Sequence, residues 1–123
     1  DALAAGHRPV IYGDGEQSRD FTYISNVVEA NLRAAETTSG VGHVINVANG
    51  QRTTLNELLS LLKKILGREE VEAEYRETRV GDVRHSLADI TRARELLGYE
   101  PRVALEEGLR KTYDWWKQSR FAK

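Results

Sequence analysis

The sequence of 123 residues contains no cysteine and no methionine, and only two prolines. Without cysteine it can form neither a disulfide nor a thiolate metal site. It also has no apolar run long enough to span a bilayer, and nothing in it has the pattern of a signal peptide. The sequence therefore predicts a cytoplasmic protein that does not associate with a membrane.

An excess of charge is also missing. Eighteen Lys and Arg residues against nineteen Asp and Glu residues give a formal net charge of −1, and no run of like charge exceeds three residues. A nucleic-acid-binding protein would present a basic patch. We therefore expect no nucleic-acid partner, and any bound anion must be held by a local site. The three histidines do not have the spacing of metal ligands, so we expect no metal site.

The alternation of apolar patterns predicts an α/β fold with short strands and about four helices. We expect strands at 9–12, 44–47 and 71–75, and helices from about 25 to 39, 54 to 66, 89 to 97 and from about 105. Ser25 or Asn26 is expected to cap the first helix, and Asp89 the third. Thr54 and Glu57 have the spacing of a capping box, followed by leucines at a 3.6-residue period.

Two arginines, sixty positions apart, carry the most specific chemistry. Arg19 follows the polar turn Gly13-Asp14-Gly15, and Arg79 precedes Gly81-Asp82. A guanidinium group matches phosphate geometry with paired hydrogen bonds, and a neighbouring carboxylate can accept a hydrogen bond from a sugar hydroxyl. If the fold brings the two arginines together, they form a cradle for a nucleotide sugar.

Two other motifs suggest catalysis or cofactor binding, and we interpret both as structural. Gly13-x-Gly15 is half of a dinucleotide fingerprint, but Ser18 stands where the third glycine belongs. Tyr113 and Lys117 have the spacing of a catalytic tyrosine–lysine pair, but Tyr113 falls on the apolar stripe of the last helix. We therefore expect no catalytic and no cofactor-binding residue in this chain.

Two long motifs together resemble the nucleotide-sugar epimerase/dehydratase branch of the extended short-chain dehydrogenases, typified by UDP-glucose 4-epimerase. The first is residues 11–24, IYGDGEQSRDFTYI, and the second is residues 79–89, RVGDVRHSLAD. With residues 43–49 and 105–109, the resemblance covers essentially the whole chain.

The resemblance implies a role for each residue that matches the family's substrate site. Arg19 and Arg79 would bind the diphosphate, Asp82 a ribose hydroxyl, and the backbone from Val10 to Tyr12 the base. Ser86 matches the position whose size limits the substituent at C2 of the sugar, and a small residue there makes room for an N-acetyl group.

The resemblance also implies a domain organisation. It is confined to the family's C-terminal part, so residues 1–123 would form one substrate-binding lobe without the Rossmann domain, as a piece of a longer protein. Residues 25–48 would form a helix and a strand that pack on that N-terminal domain, which binds NAD. The full-length protein would be a homodimer.

The function that follows is UDP-sugar binding within an NAD-dependent nucleotide-sugar 4-epimerase, an isomerase of carbohydrate metabolism acting on UDP-glucose or UDP-N-acetylglucosamine. The diphosphate would be anchored here while hydride transfer at C4 takes place in the other domain, so this chain alone would be inactive. The alternatives are a sugar-nucleotide 4,6-dehydratase, decarboxylase or reductase on the same scaffold, or a non-catalytic binding module.

Overall fold

A computed structural model describes the backbone of residues 1–121 and the side chains of residues 1–119. In chain order these residues form β1 (Val10–Tyr12), β2 (Ser18–Arg19), α1 (Ile24–Glu36), β3 (Thr53–Thr54), α2 (Leu55–Leu66), β4 (Glu74–Arg76), α3 (Thr91–Leu97) and α4 (Leu105–Phe121). The predicted mixed α/β class with four helices and short strands is confirmed for this part of the chain. None of these helices is both long and apolar enough to cross a membrane.

Contacts divide the described residues into two compact units. The first unit comprises Asp1–Arg19 and Arg52–Ser86, and the second comprises Asp20–Gln51 and the described residues from Leu87 onward. Each unit has its own secondary structure and is treated by itself below.

The strands of the first unit form two pairs. β1 runs parallel to β4, with Val10 opposite Glu74 and Tyr12 opposite Arg76. β2 runs antiparallel to β3, and Ser18 also forms an isolated parallel bridge with His85. These pairings place the ends of β1 and β2, where Tyr12 and Arg19 lie, within one unit. The strand predicted at 71–75 lies further along the chain, at β4.

The capping box predicted before α2 is confirmed. The Thr54 hydroxyl accepts the Glu57 N–H at 3.1 Å, and the Glu57 carboxylate accepts the Thr54 N–H at 2.7 Å. The helix ends at Gly67, whose φ of 63° is a left-handed conformation that favours glycine. Both ends of α2 are thus determined by local sequence.

The predicted cap of α1 was wrong. The helix begins at Ile24 with Tyr23 as its N-cap, so Ser25 and Asn26 lie in its first turn. The Asn26 side chain is buried, donates to the Val103 carbonyl at 2.9 Å and accepts the Val103 N–H at 3.0 Å. Its amide therefore binds the segment before α4, and this tertiary contact replaces the capping role.

The strand predicted at 44–47 was also wrong, because residues 44–47 lie outside every strand that the structure describes. The alternation on which the prediction rested is present, since Ile45 and Val47 pack against the core while Val44 is 84% exposed. The segment packs its apolar side chains without a strand partner. The alternation of buried and exposed apolar residues therefore indicates side-chain packing here, and not the pairing of a strand.

The core of the second unit surrounds Tyr99, which is fully buried. Its hydroxyl donates to the Ala48 carbonyl at 2.9 Å. The N-cap of α3 is Ile90 and not the predicted Asp89, which lies one residue earlier and accepts the Thr91 N–H through Oδ1 at 2.9 Å. The buried cluster consists of Ala30, Ala48, Ile90, Ala93, Leu97 and Tyr99.

We expect Tyr99→Phe to lower the free energy of unfolding by about 1 to 2 kcal/mol, because it leaves the buried Ala48 carbonyl without its donor. Urea unfolding of the protein carrying this chain measures the change. Tyr75→Phe is the matched control, since Tyr75 is 52% exposed and its hydroxyl bonds Asn56 at the surface. A loss for Tyr99→Phe no larger than for the control would contradict the prediction.

Candidate functional site

Arg19 and Asp82 form the central contact of the candidate site, and both lie in the first unit. Arg19 Nη2 donates to Asp82 Oδ1 at 2.5 Å, and Nη1 donates to the Ser18 carbonyl at 2.8 Å. Their side chains are 30% and 28% exposed. These two bonds hold the guanidinium plane, and in the described part of the chain they use two of its five N–H donors.

Arg79 lies in the same turn as Asp82. The Asp82 N–H donates to the Arg79 carbonyl at 3.2 Å, and Gly81 between them has a φ of 83°. A glycine adopts this left-handed conformation without steric cost. The turn therefore connects Arg79 to the carboxylate that Arg19 binds.

Tyr12 contributes a side chain to this group of residues. The guanidinium carbon of Arg79 lies 4.0 Å from the centre of the Tyr12 ring, a cation–π contact. Interaction with Arg79, and secondarily with Arg76, lowers the pKa of the Tyr12 phenol below its ordinary value. Sequence reasoning assigned only a backbone role to Tyr12, because nothing local shows that the ring meets Arg79.

The remaining predicted site residues also lie in the first unit. Val10 begins β1, opposite Glu74, and is 38% exposed. Ser86 is exposed, and its N–H donates to the Ser18 carbonyl at 3.0 Å. Ser86 is thus placed next to β2, one residue from Arg19.

Two side-chain pairs that sequence reasoning missed connect Arg84 to the first turn and His85 to β2. Arg84 donates to both Asp14 oxygens, at 2.7 and 2.9 Å. His85 Nδ1 lies 2.9 Å from Ser18 Oγ, and the Ser18 N–H donates to the Arg84 carbonyl at 2.9 Å. The partners are 70 and 67 positions apart, so no local pattern could have paired them.

The glycine pair does not fit a dinucleotide site. A Cβ added at Gly15 would overlap the Asn56 side chain, so the glycine accommodates a neighbour within the protein. The following element is β2, and not the helix whose N-terminus would receive a diphosphate. The turn at Gly13 and Gly15 therefore differs from the strand–turn–helix arrangement of a dinucleotide fingerprint.

The tyrosine–lysine pair of α4 is engaged in packing and surface contacts. The Tyr113 ring stacks on Trp116 with 5.9 Å between centroids, and Lys117 pairs with Asp114 at 2.9 Å. Lys117 Nζ lies 4.6 Å from the centre of the Tyr113 ring. Within the described residues, no cluster of three His, Cys, Asp or Glu side chains could hold a metal ion.

Comparison with known proteins gives matches along nearly the whole chain. The family model described as GDP-mannose 4,6 dehydratase matches residues 1–112. A UDP-glucose 4-epimerase of Mycolicibacterium smegmatis is 40% identical over 117 residues, covering 95% of this chain and 37% of that protein. A dTDP-glucose 4,6-dehydratase of Streptomyces griseus is 34% identical over 118 residues, covering 96% and 36%.

Three solved structures are similar in fold and sequence. A UDP-glucose 4-epimerase of Thermotoga maritima with UDP-glucose has a TM-score of 0.88 and 43% identity, and the match covers 96% of this chain and 37% of that chain. A UDP-N-acetylglucosamine 4-epimerase of Methanobrevibacter ruminantium with UDP-N-acetylmuramic acid has a TM-score of 0.88 and 39% identity, with 96% of this chain and 37% of that chain covered. A UDP-glucuronic acid 4-epimerase of Bacillus cereus with UDP-glucuronic acid and NAD has a TM-score of 0.87 and 33% identity, with 96% of this chain and 38% of that chain covered. This chain spans less than two fifths of each and matches the C-terminal part of the epimerase structures.

The ion pair between Asp14 and Arg84 predicts that the free energy of unfolding depends on pH in the acid range. The hydrogen bonds from Arg84 hold the pKa of Asp14 at about 2, below its ordinary value of 3.8. A lowered folded-state pKa stabilises the fold above pH 3.8, and this contribution is lost as the pH falls towards 2. We expect Asp14→Asn to remove this part of the acid dependence in urea unfolding at pH 2 to 6. Glu36→Gln, an exposed carboxylate at the end of α1, is the control, and equal profiles for the two variants would contradict the assignment.

Proposed function

Since this chain belongs to the GDP-mannose 4,6-dehydratase family, within the extended short-chain dehydrogenases, we propose that it is the substrate-binding part of an NAD-dependent nucleotide-sugar 4-epimerase. Its substrate would be UDP-glucose or UDP-N-acetylglucosamine. Hydride exchange at C4 would take place in a dinucleotide-binding domain that these residues do not include, so this chain supplies binding and no catalytic group.

The observation that carries the proposal is the contact of Arg19 with Asp82, in the turn that also holds Arg79. The free N–H donors of Arg19 and the guanidinium group of Arg79 would bind the diphosphate. A hydrogen bond to a charged group contributes roughly 1.5 to 3 kcal/mol, so two guanidinium groups are enough to anchor the nucleotide. Asp82 has a second carboxylate oxygen, which would accept a ribose hydroxyl.

The base and the sugar would lie on either side of this anchor. The backbone from Val10 to Tyr12 would bind the base, and the Tyr12 ring, held against Arg79, would form the adjacent wall. Ser86 is small, exposed and adjacent to β2. Its size supports a sugar pocket that accepts an N-acetyl group at C2 as well as a hydroxyl.

The exposed face of α1 supports the proposed docking of residues 25–48 on the dinucleotide-binding domain. Ile24, Val28 and Leu32 recur at every fourth residue and are 63%, 50% and 56% exposed. An apolar stripe on a helix typically packs against another element, because each Å² of apolar surface removed from water contributes about 25 cal/mol of favourable free energy. Residues 1–123 would then act as one substrate-binding region of a longer, homodimeric enzyme.

The second candidate function is a 4,6-dehydratase or decarboxylase, favoured by the similarity to a dTDP-glucose 4,6-dehydratase. Incubation of the full-length protein with UDP-glucose and UDP-glucuronic acid, followed by NMR of the products, separates the reactions. We expect inversion at C4 with the sugar carbons and oxygens retained. Loss of water or of carbon dioxide would replace the epimerase proposal with the second candidate.

Arg19→Ala in the full-length enzyme should weaken UDP-sugar binding at least about tenfold, because it removes a charge-assisted anchor of the diphosphate. Isothermal titration calorimetry measures the dissociation constant. Arg110→Ala is the matched control, since Arg110 is exposed on α4 and pairs only locally with Glu106 in the contacts described. An unchanged dissociation constant for Arg19→Ala would remove Arg19 from the site.

A further inference from the structure

We propose that His85 is a positioning residue for nucleotide-sugar binding, which acts through Ser18 to hold the segment 79–86 against β2. The inference rests on the proposed function, because the segment contains Arg79, Asp82 and Ser86. It goes beyond that function by assigning a role to a side chain that would itself contact no substrate.

The segment 79–86 needs an anchor because it is exposed along its whole length. Val80 at its tip is fully exposed, and no strand pairing of more than one residue holds the described segment. Its main chain is bound to β2 by two hydrogen bonds, from the Ser18 N–H to Arg84 and from the Ser86 N–H to Ser18. Its N-terminal end is held by the partly exposed pair of Asp82 with Arg19 and by the contact of Arg79 with the Tyr12 ring. An exposed segment without a strand ladder opens more easily than a packed element, so each remaining anchor matters.

Besides the pair of Asp82 with Arg19 and the contact of Arg79 with the Tyr12 ring, two side-chain pairs hold the C-terminal end of the segment, and they differ in burial. The pair of Arg84 with Asp14 is exposed at both ends, at 55% and 56%, so solvent and salt weaken it. Ser18, in contrast, is 2% exposed, and its hydroxyl lies 2.9 Å from His85 Nδ1. Either tautomer of the ring completes this bond, because Nδ1 can donate to the hydroxyl or accept from it.

Loss of the His85 bond has two consequences. The buried Ser18 hydroxyl loses its partner, which is unfavourable in a water-poor environment. The segment then leaves β2 more readily, and Asp82 and Ser86 spend less time in position. Since His85 lies between Arg84 and Ser86, a shift at position 85 moves the proposed sugar-facing residue directly. Binding should weaken while the chemical step, carried out by groups elsewhere, keeps its rate.

A pair of amide substitutions tests this role. An asparagine side chain places its amide near the position of Nδ1, whereas a glutamine places its amide near Nε2. In the full-length enzyme we expect His85→Gln to raise KM for UDP-glucose about three- to tenfold with kcat within about twofold. His85→Asn should restore KM to near the wild-type value. His7→Gln, an exposed histidine outside the segment, should match the wild type.

A double-mutant cycle with Ser18→Ala checks that the effect passes through Ser18. We expect Ser18→Ala to raise KM for UDP-glucose by a similar factor. The double variant with His85→Gln should have a KM no higher than that of the single variant with the higher KM, because both changes remove the same bond. If His85→Gln reduces the folded fraction, Ser18→Ala alone still tests the anchor, because it removes the same bond with a small side chain.

Three results would overturn the inference. These are an unchanged KM for both His85→Gln and Ser18→Ala, rescue by glutamine and not by asparagine, and a fall in kcat at constant KM. Failure of the proposed function gives a different result, since the wild-type enzyme would then not bind UDP-glucose and Arg19→Ala would change nothing. If the wild-type enzyme binds UDP-glucose and the His85 and Ser18 variants have an unchanged KM, only the positioning role is rejected.

Discussion

The ion pair of Arg19 with Asp82 depends on the placement of β2, and the candidate site depends on that ion pair. β2 is only two residues long, yet it is bound on one side by β3 and contacts residues 84–86 through Ser18. The first contact fixes the Arg19 backbone, and the second brings the turn with Asp82 to the guanidinium group. A pair of residues 63 positions apart is thereby held at hydrogen-bonding distance.

Under the proposed function, this arrangement would let a chain with a net charge of −1 present a local site for an anion. Each arginine of the site already has a partner, Asp82 for Arg19 and the Tyr12 ring for Arg79. These contacts orient the guanidinium groups in the absence of a ligand, which would reduce the entropy lost on the proposed binding. The carboxylate of Asp82 would also limit the positive potential to the immediate surroundings of the two arginines, so selectivity for an anion would come from geometry and not from overall charge.

The sequence predicted the parts of the fold that depend on near neighbours. The capping box of Thr54 and Glu57 involves residues three positions apart, and the structure has it. Two of the wrong assignments, the cap of α1 and the strand at 44–47, failed because distant residues decide them. Asn26 binds Val103, and Ile45 packs on the core without a pairing partner. The same limit applies to the site, where the motifs identified the arginines but not the contacts of Tyr12 or His85.

Gly15 shows how tightly the polar turn is built into the rest of the first unit. Asn56, which a side chain at position 15 would displace, donates to the Asp14 carbonyl and the Glu16 carboxylate and accepts from the Tyr75 hydroxyl. A substitution of Gly15 would thus disturb three elements at once, namely the polar turn itself, the first turn of α2 and strand β4. At Gly42 a new side chain would meet no atom within 4 Å, so only its backbone conformation resists change. Natural homologues should therefore tolerate substitutions far less at position 15 than at position 42.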